Sequence, residues 1–198
     1  MTRKEIATMR YTHRFRNLLA LALIVLIAGG CRSAQQTNFL HQNADLGAIK
    51  KVAVLPFDNL TSERSASEKV QKIFYLELLS LDVFTVAEPG EVTKVLRGAG
   101  SDALGPADYQ RIGKELGIDA VVVGTVVDFA EGRTGTTPTP EVTIQLRMIE
   151  TTSGSTIWSA GKTRSGAGVT TRLFGVGGES LTEAARQIVR AELSTLLK

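Results

Sequence analysis

The sequence predicts an α/β domain with a mixed β-sheet, in the order β-α-β-α-α-β-β-β-α, and three observations carry that reading. Apolar runs rich in β-branched residues, such as 52–55 and 120–127, read as buried strands. Segments with apolar residues at helical spacing interleave with them along the chain, the pattern of an α/β layer architecture. Two strand-like segments late in the chain are separated only by a short turn, so part of the sheet is antiparallel.

The first strand is KKVAVLPFDN, 50–59, and Pro56 ends its ladder because proline has no N–H to donate. Ser65 and Glu68 have the spacing of a capping box, and Val70, Ile73, Phe74, Leu78 and Leu81 form the apolar stripe of the helix that follows. Glu77 intrudes on that stripe and is expected at its edge. A short strand over 83–87 precedes a helix around 92–96, which Gly98-Ala99-Gly100 breaks. Pro106 opens the next helix at its first turn, with Tyr109, Ile112 and Leu116 inward and Gly117 as its stop. The run 118–129 is long, mostly apolar and expected at the centre of the sheet. A loop over 130–140 separates it from strands over 141–150 and 156–162, which Thr152-Ser153-Gly154 joins as a hairpin. Leu181, Ala184, Ala185, Ile188, Val189 and Leu196 mark an amphipathic C-terminal helix.

The N-terminus reads differently. Arg3, Lys4, Arg10, Arg14 and Arg16 precede thirteen uncharged residues, 18–30. That is the length of a signal-peptide apolar region, and too short for a helix across about 30 Å of hydrocarbon, which takes about 20 residues. Ala28, Gly29 and Gly30 then lead into Cys31, the one cysteine of the chain. Ile27-Ala28-Gly29-Gly30-Cys31 resembles the bacterial lipobox, with Ala28 where Leu is usual. The resemblance implies a signal peptide over 1–30, cleavage before Cys31 and acylation of its sulfur, palmitate included. Several acyl chains, each buried CH₂ contributing about 0.8 kcal/mol, make a stable anchor.

Without residues 1–30 the 23 basic residues fall to 18 and the 20 acidic ones to 19, a net charge of −1. The basic character of the whole chain belongs to the leader, so no nucleic-acid partner is expected. Residues 32–46 are mostly polar without a clear period, and 31–47 read as the lipidated cysteine and a tether. That tether reaches about 50 Å when fully extended. The remaining span, 48–198, is long enough to seal a core without disulfides, for which no second thiol exists.

No catalytic constellation emerges. The two histidines, His13 and His41, fall in the leader and the tether, which leaves none for a Ser-His-acid triad or a zinc site in the domain. Asp119 and Asp128 flank the long strand nine residues apart, about 30 Å, and read as a loop-end cap and a solvent-facing acid. Gly175-Val176-Gly177-Gly178 lacks GxGxxG and a P-loop lysine, and reads as a flexible loop before the last helix. Asn59-Leu60-Thr61 shapes a turn, and Trp158 belongs in the core. No cofactor, no metal and no enzymatic activity are expected.

Three segments carry a family resemblance: KVAVLPFDN (51–59), GIDAVVVGTV (117–126) and ETTSGSTIWS (150–159). Together, over about 48–198, they resemble the periplasmic domain shared by the curli secretion lipoprotein CsgG, the penicillin-binding-protein activator LpoB and the N-terminal domain of TolB. The resemblance implies a non-enzymatic envelope protein that binds other proteins, faces the periplasm and is a possible homo-oligomer. Arg32 follows the cysteine, not the Asp that resembles an inner-membrane retention signal, so outer-membrane sorting is expected. A CsgG-like pore needs hairpins with arms of about 9–11 residues. Neither the eleven residues of 130–140 nor the eighteen of 161–178 supply one. An LpoB-like activator of a peptidoglycan synthase is the alternative, against which the short tether argues. Val169 to Val176 contains the candidate partner contact, Arg172, Leu173 and Phe174, exposed apolar groups beside a cation in a Gly-flanked loop. The expectation is a lipid-anchored scaffold or accessory factor in outer-membrane assembly or secretion.

Overall fold

The computed structural model describes residues 36–41, 45–97, 104–134, 137–165 and 179–197. The leader, Cys31, the 98–100 breaker and the 166–178 segment lie outside them. The compact unit is Ala34–Lys198.

The strands are β1 (Gln36–Leu40), β2 (Lys51–Val54), β3 (Asp58–Asn59), β4 (Thr85–Val86), β5 (Ala120–Thr134), β6 (Thr137–Glu150) and β7 (Thr156–Ser165). Among the described residues the helices are α1 (Ala66–Ser80), α2 (Pro89–Arg97), α3 (Pro106–Leu116) and α4 (Leu181–Leu196), with one 3₁₀ turn at Leu46–Ala48. The sheet runs β1-β7-β6-β5-β2-β4, and β3 continues the lane of β2 along β5. Pairing is parallel among β2, β3, β4 and β5, and antiparallel from β5 through β6 and β7 to β1. The predicted mixed sheet, with β5 central, is therefore what forms.

Side-chain alternation in β2 explains its continuous apolar run. Val52 and Val54 join Val70, Phe74 and Ile188 in a core roofed by α1 and α4. Ala53 and Leu55 join Val92, Tyr109 and Ile112 under α2 and α3. Both faces are covered there, so every position is apolar. Along β6, Val142, Ile144, Leu146 and Met148 are buried on one face while Gln145 and Arg147 are exposed, and Ile149 enters the second core. A bulge between Val126 and Asp128 resets the alternation of β5. It keeps Val126 and Phe129 in one core while Asp128 faces solvent. Asp119 is the strand-start cap: its Oδ2 accepts the backbone N–H groups of Lys50 and Lys51, both at 2.8 Å. Those bonds hold its carboxyl below the usual carboxylate range.

Four expectations change. The tether is not structureless, because Gln36–Leu40 is an edge strand antiparallel to β7. An edge strand needs no apolar period, which is why the sequence hides it. His41 belongs to the domain as well, since its N–H donates to the Ile157 carbonyl at 3.0 Å. The loop over 130–140 is instead the end of a ribbon in which Glu131↔Pro140 and Thr134↔Thr137 pair. Beyond Glu141↔Ser165 each arm has only about four residues, about 13 Å, still short of a spanning strand. Finally, the capping box at Ser65 does not close. Its backbone (φ −99, ψ 7) is not extended, and its hydroxyl donates to the Glu63 carboxylate at 2.5 Å, while Glu68 takes Lys72 at 2.6 Å. The same motif does cap α4, where extended Ser180 accepts the Glu183 N–H at 3.2 Å.

Asn59 does shape its turn: its Oδ1 accepts the Thr61 N–H at 3.0 Å and its amide donates to the Glu63 carbonyl at 2.8 Å. Helix α3 starts at Pro106 with the Asp108 carboxylate on the Gly105 N–H, and stops at left-handed Gly117. The β6–β7 turn needs its glycine twice over. Gly154 has φ +71, and a Cβ there would lie 2.9 Å from the Pro106 Cβ and 3.0 Å from its carbonyl oxygen. Gly117 has φ +58 with nothing within 4 Å of the equivalent position. Thermal unfolding should show Gly117→Ala costing about 1 kcal/mol and Gly154→Ala about 2 kcal/mol or more, the excess being the contact with α3. Equal costs would mean that the turn and α3 do not bear on each other.

Candidate interaction surfaces

Cys31 and the candidate contact Arg172, Leu173 and Phe174 lie outside the described residues, as does Gly175-Val176-Gly177-Gly178. The surfaces that the structure does place are the β1 edge, the outer side of α1 and the interior of α4.

Among the described residues, strand β1 pairs on one side only. Its register, Gln36↔Lys162 through Leu40↔Trp158, puts Leu40 on the sheet face that α4 covers and Phe39 on the opposite face. Phe39 is 50% exposed and Leu40 44% exposed. His41 stands edge-to-face against Phe39, with ring centroids 6.4 Å apart. Between Gln36 and His41 there is no Lys, Arg, Asp, Glu or Pro, so the edge lacks the charges, bulges and prolines that usually blunt one. The sequence signal was Phe39-Leu40 in otherwise polar chain, an apolar pair with no interior period to serve.

Helices α1 and α4 meet at a charged seam. Glu77 accepts from Arg190 Nε at 2.8 Å and lies 3.5 Å from Arg186 Nε, while Arg186 also takes Glu183 at 2.8 Å. The Glu77 side chain is 15% exposed, the edge position its place on the stripe predicts. Farther out on α1, Leu76 and Leu79 are exposed, and so is Val83 just beyond the helix.

Glu192 is the residue that the sequence reading passed over. It lies on the buried stripe of α4 between Ile188 and Leu196, at 0% exposure. Neither carboxylate oxygen meets hydrogen-bond geometry with a described residue, although the Lys162 charge and backbone N–H on β7 favour its ionised form. Burial pushes its carboxyl well above the usual range, and the nearby Lys162 on β7 pulls it back only in part. An acid at i+4 from Ile188 on an apolar stripe was the visible signal, the same signal that Glu77 gives on α1. Trp158, in contrast, stands where the sequence puts it, 1% exposed with its Nε1 donating to Thr195 Oγ1 at 3.1 Å. Among the described residues no group of three or more His, Cys, Asp or Glu is placed to hold a metal ion. Geometrically these are surfaces for contact: an unblunted strand edge, an apolar helix flank and a charged seam.

No family model and no curated protein matches the sequence. Solved structures do. The chain is similar to a PelC dodecamer from Paraburkholderia phytofirmans, at 18% identity and a TM-score of 0.58, over 82% of this chain and 96% of that one. It is similar to lipoprotein GNA1162 from Neisseria meningitidis, at 15% identity and a TM-score of 0.54, over 74% of this chain and 99% of that one. The hypothetical protein CT253 from Chlamydia trachomatis is similar at 13% identity and a TM-score of 0.52, over 75% and 96% of the two chains. At these identities the likeness establishes a shared fold, one that bacterial lipoproteins use.

Proposed function

We propose that this protein is a lipid-anchored envelope protein whose work is binding other proteins, as a scaffold or accessory factor in outer-membrane assembly or secretion. The observation that carries the reading is the join at the N-terminus. A lipobox-like Cys31 stands five residues ahead of the first strand of a domain that shares its fold with lipoprotein GNA1162 and with dodecameric PelC. Acylation of Cys31 fixes the domain on the periplasmic side of the outer membrane, and exposed apolar and charged surfaces make the protein contacts. The PelC dodecamer supports self-association as part of that work. The candidate loop with Arg172, Leu173 and Phe174 remains within this proposal, as does contact without catalysis.

Metabolic labelling with a palmitate analogue tests the anchor. The wild-type chain takes the label and floats with membranes, and Cys31→Ser removes the label entirely. Equal labelling of the two chains, or an unmodified Cys31 with residues 1–30 still attached in the native protein, overturns the proposal.

A further inference from the structure

We infer that the β1 edge, with Phe39 and Leu40, is the face by which the domain seats on the bilayer that holds its anchor; this rests on the acylation of Cys31 proposed above. Only four residues, 32–35, separate Cys31 from Gln36, and the five steps between them reach about 17 Å at 3.3–3.6 Å per residue. A domain of about 165 residues is about 40 Å across, from a radius of gyration near 15 Å. A body of that size on a leash less than half its width cannot turn its attachment strand away from the surface. The leash would be about 50 Å if 32–46 were all tether, and the domain would be free to rotate; β1 removes that freedom.

The chemistry of the edge fits a lipid surface. Phe39 and Leu40 project from opposite faces of the strand, so apolar contact is available on both sides of its outer edge. Between Gln36 and His41 the chain carries no carboxylate, and an anionic headgroup layer meets no opposing charge there. The outward backbone N–H groups of an edge strand find acceptors among headgroup phosphates and their water, which a hydrocarbon partner would not offer.

The test uses the full acylated chain in vesicles of phosphatidylethanolamine and phosphatidylglycerol that contain a shallow nitroxide-labelled lipid. Phe39→Trp places a reporter on the edge, Leu40→Trp a second one, and Leu76→Trp a control on exposed α1. Buried Trp158 supplies a constant background. Seating on the bilayer predicts several-fold stronger lipid quenching at position 39 or 40 than at position 76. Equal quenching at all three overturns the seat while leaving the anchor standing. A reporter at 39 that is shielded from lipid and shifts with protein concentration also overturns it, and assigns the edge to pairing with a second copy. Mass spectrometry and flotation of the same preparation separate the two ideas, because an unmodified Cys31 removes the anchor and this inference with it.

Discussion

Trp158→Ala should be among the most damaging single substitutions in this domain, lowering unfolding stability by about 3–5 kcal/mol. Trp158 is the largest fully buried side chain, at 1% exposure, and it stands where β7 meets both β6 and β1. Met148 and Leu40 flank it in register, and Thr195 on α4 accepts its indole N–H. A bulge beside it lets Ile157 and Trp158 enter the same core, so truncation opens a cavity that neighbouring strands cannot refill by a simple shift. Two milder variants separate packing from hydrogen bonding. Thr195→Val removes the acceptor together with the hydroxyl's own bond to the Glu192 carbonyl at 2.7 Å, and should cost about 1–2 kcal/mol. Trp158→Phe keeps most of the volume and should fall between the two. Denaturant unfolding of the three variants checks the order; a Thr195→Val loss as large as that of Trp158→Ala would mean that the hydrogen bond, not the ring, holds α4 to the sheet.

Such a loss is a large part of the 5–15 kcal/mol that a domain of this kind has in total. It also bears on the proposed membrane seat. Leu40 is paired to Trp158, and the His41 N–H to the Ile157 carbonyl, so the outer edge depends on the packing behind it. A loosened Trp158 site should therefore free β1 before it unfolds the rest of the sheet.

How much of this was legible in the sequence follows from where each element gets its energy. Strands β2 and β5 are buried on both faces or beside the core, and their apolar runs declare them. Helix α3 declares both its ends, because Pro106 and Gly117 are residues whose backbone preferences act locally. Ser65 and Ser180 show the limit of such local signals. Both precede a glutamate by three residues, yet only Ser180 has the extended backbone that aims its oxygen at the N–H groups. The 130–134 and 137–140 extensions were illegible because their Glu, Gly and Pro are poor strand formers and no apolar alternation runs through them, and the ladder between the two arms supplies the order. Strand β1 was illegible for a related reason: its order comes from the β7 edge, which no residue of 36–40 announces. The candidate sites at Cys31 and Arg172 rest on sequence chemistry alone and lie outside the described residues. The sequence could not show that only four residues separate Cys31 from the first described strand, because that spacing is set by where β1 begins.

Replacing Glu192 should change both the level and the pH dependence of stability. Its folded-state carboxyl is raised above the ordinary value of about 4.3, so the native state binds the proton more tightly than the unfolded chain. A raised acid contributes no penalty below the unfolded value, and the penalty grows as pH rises from there to the folded value. The wild-type domain should therefore lose stability across that window, relative to Glu192→Gln, at a slope of up to about 1.4 kcal/mol per pH unit. Gln keeps the shape and the unsatisfied polar atoms but cannot ionise, which isolates the titration. Glu192→Leu removes the orphaned oxygens as well, and should add a pH-independent gain of about 1–3 kcal/mol. Asp119 works in the opposite sense, since its lowered carboxyl stabilises the fold above its unfolded value and is lost only in acid. The Glu192 signal is thus read as a difference between variants and not from the wild-type curve alone. Unfolding free energies of wild type, Gln and Leu between about pH 5 and 8 decide the matter. Parallel curves for wild type and Glu192→Gln would show that the carboxyl does not retain its proton inside the fold.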